Sequence, residues 1–144
     1  MAELRELMLS AVQNGSIEDF RAALEHSPGK PELGLADGED PIAGMKRVSA
    51  DGAGLEILAA LGEILRLPPA TLPLGRDIEN NLIFVWPYLA ERPLEQLTTR
   101  EQIDLLTLVT PAKAAEMREK KRWTWWRLAI GADGSWLALK KQEN

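Results

Sequence analysis

Seven residues, "IGADGSW" from Ile130 to Trp136, constrain this chain more than any other stretch of its length. Ala132-Asp133-Gly134 has the pattern of a three-residue hairpin loop, a type I turn closed by a left-handed glycine. Such a loop pairs Gly131 with Ser135. An uninterrupted ladder then sets Ile130 opposite Trp136, Leu128 opposite Ala138 and Trp126 opposite Lys140. Side chains alternate along a strand, so Trp126, Leu128, Ile130, Trp136 and Ala138 share one face. That face has little polarity and is expected in the core. The other face carries Trp123, Trp125, Arg127, Ala129, Leu137 and Leu139. Trp125 and Arg127 lie two apart on it, within reach of a stacked cation–aromatic pair. If helices cover only one side of the sheet, Trp123 and Trp125 are the aromatics left to face outward; the plainer reading is that this face is packed as well.

The hairpin closes a chain of 144 residues, the size of one domain with its own core. Residues 1–27 read as a helical hairpin. Leu4, Leu7, Met8, Ala11 and Val12 form a helical stripe, Asn14-Gly15 ends it, and Ser16 is the expected N-cap of a second helix. Residues 28–39, "PGKPELGLADGE", read as a loop. Residues 40–144 supply further helices and a sheet. Asp40-Pro41 and Thr110-Pro111 each have the cap-then-proline start of a helix. The segment from Ala53 to Leu65 is nearly apolar, with Leu55, Ile57, Leu58, Leu61, Ile64 and Leu65, and reads as a central helix. Leu82 to Trp86 is β-branched and aromatic and reads as a strand that Pro87 curtails. Thr98 with Glu101, and Thr99 with Gln102, have capping-box spacing. The helix they start is expected to turn Ile103, Leu106 and Val109 inward. The fold class expected is α+β, with N-terminal and central helices packed on a small antiparallel sheet.

Charge and composition exclude several function classes. There is no cysteine, hence no disulfide, thiolate metal site or cysteine nucleophile. No apolar run approaches a membrane-spanning length. The N-terminal residues are acidic and amphipathic, unlike a secretory signal. An exported or periplasmic location therefore requires a leader removed before Met1; otherwise the chain is expected in the cytoplasm. Residues 1–110 hold nine cations against eighteen acids, and residues 111–144 hold eight against four. The basic end clusters at a helix terminus and at strand ends, not along a groove, and the whole chain is acidic, so nucleic acid is not expected as a partner.

The polar cluster nearest a core element is "GRDIENN". Arg76, Asp77, Glu79 and Asn81 stand directly before the expected strand. Asp77 and Glu79 share a side of an extended segment, so a carboxylate pair for acid–base work is one reading; turn residues with a local ion pair is the plainer one. His26, the sole histidine, has no serine or carboxylate constellation around it in sequence. No phosphate-binding glycine loop and no metal-ligand spacing is present. No catalytic residue, metal or cofactor is assigned. The candidate ligand-binding residues are Arg76, Asp77, Glu79, Asn81, Trp86, Tyr88, Trp123, Trp125 and Arg127.

Three segments, "DIENNLIFVWPYLAE", "PLEQLTTREQIDLLTLVTPAKAAEMRE" and "WTWWRLAIGADGSWLAL", resemble a family of uncharacterised, mostly alphaproteobacterial proteins. Its members share a "YVWPYFAE"-like strand, an "LVTP"-like helix start and an "IGPDGTW"-like hairpin. The resemblance covers about residues 40–139. It implies a small α+β domain of unknown function, often exported, and carries no catalytic residue over. This chain departs from the pattern in its tail, "LALKKQEN", and in having no SH3-like segment. The expectation is thus a small non-enzymatic binding domain for a peptide, a cell-wall component or a protein partner. A hydrolase using Asp77 and Glu79 is the alternative, and an assembly module, dimeric through an open sheet edge, is the third.

Overall fold

The computed structural model describes residues 2–73 and 82–142. Among them are helices α1 (Ala2–Asn14), α2 (Phe20–His26), α3 (Pro41–Val48), α4 (Leu55–Ile64), α5 (Thr99–Leu108) and α6 (Pro111–Lys120). Four strands, β1 (Ala70–Pro73), β2 (Leu82–Trp86), β3 (Trp126–Gly131) and β4 (Trp136–Lys141), form one antiparallel sheet in the order β1-β2-β3-β4. The fold is α+β. Strand β1, which follows Pro68-Pro69 directly, has no counterpart in the sequence reading. It is only four residues long and ends on proline, too short for a periodicity signal.

The hairpin turn forms as the sequence predicts. Gly134 sits at φ +92°. Its N–H donates to Gly131 O at 3.0 Å, and Gly131 N–H donates to Ser135 O at 2.8 Å. Ile130 pairs with Trp136, but the uninterrupted ladder does not continue. A bulge between the Ala129 and Ile130 pairings resets the register, so Ala129 faces Ala138, Leu128 faces Leu139 and Trp126 faces Lys141. An extra residue in one strand flips everything beyond it to the other face. Leu139, expected on the outer face, is therefore buried with Trp126, Leu128, Ile130 and Trp136, while Ala138 moves out beside Ala129. The cause lies outside the hairpin. Leu137 O accepts from Glu32 N–H at 2.9 Å, and Leu139 N–H donates to Glu32 O at 3.0 Å. The 28–39 loop is thus tied along the edge of β4 as a short parallel bridge.

Helices α1 to α4 pack on the face bearing Trp86, Trp126, Leu128, Ile130, Trp136 and Leu139, with Phe84 partly buried beside them. Phe20 of α2 tilts against Trp136 with ring centroids 5.9 Å apart. Ser27, just past α2, accepts from Trp136 N–H at 2.9 Å and so locks the helical pair to the hairpin. A second, smaller cluster gathers Leu89, Leu94, Leu105, Ala114, Met117 and Trp123. Leu108 and Trp125 touch both clusters.

Local chemistry explains most helix starts. Asp40 accepts from Ala43 N–H at 3.1 Å to cap α3, Thr110 caps α6, and Thr98 with Glu101 forms the reciprocal box at α5. Ser16 does not cap: its side chain makes no cap bond, and a short 3-10 turn (Ile17–Asp19) leads into α2 instead. At α4 the capping group is one that the glycine-rich sequence obscured. Gly54 takes a left-handed φ of +86°, which lets Asp51 accept from the N–H groups of Ala53, Leu55 and Glu56.

Candidate functional site

Helix α5 carries two competing apolar stripes. Ile103 and Leu106 lie on one side, and Leu105 lies about 200° away from Ile103 at 3.6 residues per turn. The structure buries Leu105 and leaves Ile103 and Leu106 52% and 49% exposed. This overturns the expectation that Ile103 and Leu106 face inward. A polar contact makes the choice. Tyr88 donates its hydroxyl to Asp104 Oδ2 at 2.6 Å, and Arg100 approaches the other oxygen at 3.5 Å. With Asp104 drawn in beside Leu105, the Ile103–Leu106 stripe turns to solvent.

The Tyr88 phenol is pushed well above its ordinary pKa, by burial first and by the Asp104 carboxylate second. It stays a hydrogen-bond donor at neutral pH and holds α5 in place; it is not an activated nucleophile.

Between α5, α6 and the start of the hairpin runs a groove of about 600 Å³. Leu106, Leu108, Val109 and Pro111 give it an apolar lining, and Trp125 lies against them. Lys113 and Lys141 add two cations. The Lys141 ammonium stands 5.1 Å from the centroid of the Trp125 ring and pairs with Glu56 at 3.3 Å. Lys113 approaches Glu116 at 3.8 Å.

The sequence-derived candidates fall into three groups. Trp86 and Trp123 are buried and do not reach a surface. Trp123, a candidate for an outward face, sits in the second core cluster, as the packed reading of that face has it, and its Nε1 donates to Trp126 O at 2.9 Å. Its alternation with Trp125 fails because β3 begins only at Trp126. Tyr88, Trp125 and Arg127 are half-buried. Arg127 pairs with Glu91 at 2.6 Å, and the cation over Trp125 is Lys141, so the expected Trp125–Arg127 stack gives way to two separate pairs. Arg76, Asp77, Glu79 and Asn81 lie outside the described residues. The structure thus brings Trp125 together with residues that sequence reasoning left aside, chiefly Leu106, Val109, Pro111 and Lys113. For Leu106 the available signal is the doubled stripe of α5; Pro111 and Lys113 lie on α6 and carry no such signal.

Among the described residues no group of three or more histidine, cysteine or carboxylate side chains could hold a metal ion, and no helix is long and apolar enough to cross a membrane. His26 lies 3.5 Å from Glu3 across the α1–α2 hairpin. What the fold and groove define is an α+β domain with an apolar, cation-flanked surface hollow at its hairpin. No protein-family model, curated protein or solved structure matches the chain.

Proposed function

We propose that this chain is a non-catalytic binding domain, and that its recognition surface is the groove of α5, α6 and Trp125. The ligand that suits it is a peptide segment with apolar side chains and an acidic group. One observation carries this reading: Leu106, half exposed, lines the same groove as half-buried Trp125 and the cations Lys113 and Lys141. A hollow lined mainly by apolar and aromatic side chains with a few convergent polar groups is the usual form of a binding site. Tryptophan is the side chain most often found as a binding anchor. The two lysines favour an acidic group over a basic one. The proteobacterial resemblance belongs to the same proposal; in an exported member the ligand would be a peptide of the cell envelope. The hydrolase alternative rests on Asp77 and Glu79, outside the described residues, and gains no support from the others.

Tryptophan fluorescence titrated with short peptides of equal apolar content, one series acidic and one basic, tests the proposal. Acidic peptides are expected to bind, and Trp125→Ala to weaken them by at least about 2 kcal/mol. Equal binding of both series, or indifference to Trp125→Ala, would reject the groove as the site.

A further inference from the structure

The two cations of the groove are held in different ways. Lys141 is committed within the fold. Its ammonium meets both oxygens of the Glu56 carboxylate, at 3.3 and 3.4 Å, and stands 5.1 Å from the centroid of the Trp125 ring. The Lys141 and Glu56 side chains are only 20% and 19% exposed. Lys113 is held loosely. Glu116 lies 3.8 Å from it, and that carboxylate is closer to Lys120, at 3.0 Å. We infer that Lys113 reads the acidic group of the ligand, and that Lys141 is a positioning residue that sets the Trp125 ring. This rests on the peptide-groove reading above and assigns its charge selectivity to one residue.

The position of Lys113 on its helix points the same way. It is the third residue of α6, behind the Thr110 cap and Pro111. The first turn of a helix carries the positive end of its dipole and favours acids; the last turn favours cations. Arg118 and Lys120 follow that rule in the last turn of α6, and its first turn holds no acid. Lys113 opposes the dipole. A residue that breaks a local rule of stability is expected where function uses it. Lys113 also lines the groove, beside Val109 and Pro111. Its side chain is 27% exposed, so a ligand can reach the ammonium, and the charge is screened less than on an open surface. A carboxylate entering the groove competes there with a partner 3.8 Å away. At Lys141 it would have to displace Glu56 from a half-buried pair, which is the costlier exchange.

The acidic and basic peptides of the fluorescence titration serve as probes, and the ratio of their affinities is the quantity read. Lys113→Gln is expected to lower the acidic-over-basic preference about fivefold. Arg118→Gln removes the same charge from α6 outside the groove and is expected to leave the preference as it was. Lys141→Gln is expected to weaken both series alike, to shift the tryptophan emission of the free protein and to lower its thermal midpoint; Lys141→Arg should restore all three. The midpoint of Lys113→Gln should hold or rise, since the cation removed opposes the helix dipole. A preference that survives Lys113→Gln, or falls equally with Arg118→Gln, overturns the inference and leaves the groove as the site. So does a lowered midpoint for Lys113→Gln, because the lysine is then structural, and so does a preference lost with Lys141→Gln alone. If neither series binds the unaltered protein, the groove reading fails and takes this inference with it. If Lys141→Gln fails to fold, the Lys113 and Arg118 variants decide.

Discussion

At Asp104 a single side chain decides which face of α5 the core receives. A buried carboxylate is stable only when hydrogen-bonded or paired, and Tyr88 and Arg100 supply both. Removing the phenol oxygen leaves the carboxylate with one partner fewer. Tyr88→Phe is expected to destabilise the fold by about 1–3 kcal/mol in urea unfolding; a change within error would show that water replaces the phenol there without loss. The sequence contains both Tyr88 and Asp104, yet sixteen positions separate them. No local pattern says that they meet. That is why the stripe of Ile103, Leu106 and Val109 looked like the buried one. Trp123 carries the same lesson. Its neighbours in sequence are aromatic and basic, but its indole is consumed by the Trp126 carbonyl.

Among the elements, the capped helices were the most legible. Asp40-Pro41, Thr98 with Glu101, and Thr110-Pro111 each encode a helix start within four residues, and each forms. Thr98→Ala is expected to cost about 1 kcal/mol, and Thr98→Ser much less. Equal losses for both in thermal unfolding would mean that the hydroxyl is not what stabilises α5. Two of the caps are shared with distant residues. Arg21 of α2 grips the Asp40 cap at 3.1 Å, and Arg92 reaches Glu101 at 3.3 Å. The hairpin was legible at its turn and not along its length. Its loop chemistry is local, whereas the bulge at Leu137 answers to Glu32, more than a hundred residues earlier. The groove inherits this division. Trp125 could be singled out from the sequence, but its companions on α5 and α6 depend on how those helices are turned.

Across the molecule, several carboxylates are held below their ordinary pKa in the folded state. Asp51 is lowered by the Ser49 hydroxyl first and then by backbone N–H groups. Glu39 is lowered by Arg47, Asp40 by Arg21, and Glu101 first by the Thr98 N–H. A carboxyl whose folded pKa lies below its unfolded value stabilises the fold above the unfolded value, near about 4. That stability is lost as pH falls through the folded value. Thermal unfolding is therefore expected to hold steady from neutral pH down to about 5, then to decline progressively below about 4. Asp51→Asn should make the decline shallower. A midpoint that stays level or rises through this range would contradict the assignment. The 28–39 loop contributes at the same scale, since Arg47 with Glu39 and Lys140 with Glu32 anchor it to α3 and β4. The assembly reading meets it here: the edge of β4 is already occupied by Glu32 between Leu137 and Leu139.

By itself the sequence determined the α+β class, the starts of α3, α5 and α6, the tight turn at Gly134 and the burial of Trp126 and Trp136. These depend on dihedral preference, capping and alternation, which act within a few residues. Only the tertiary structure decided the register beyond Ala129, the facing of α5, the burial of Trp123 and the partner of Trp125. Each of those is a competition between near-equal local choices, two stripes on one helix or two registers on one strand. Contacts from residues far along the chain, Tyr88 on Asp104 and Glu32 on Leu137 and Leu139, tip the balance.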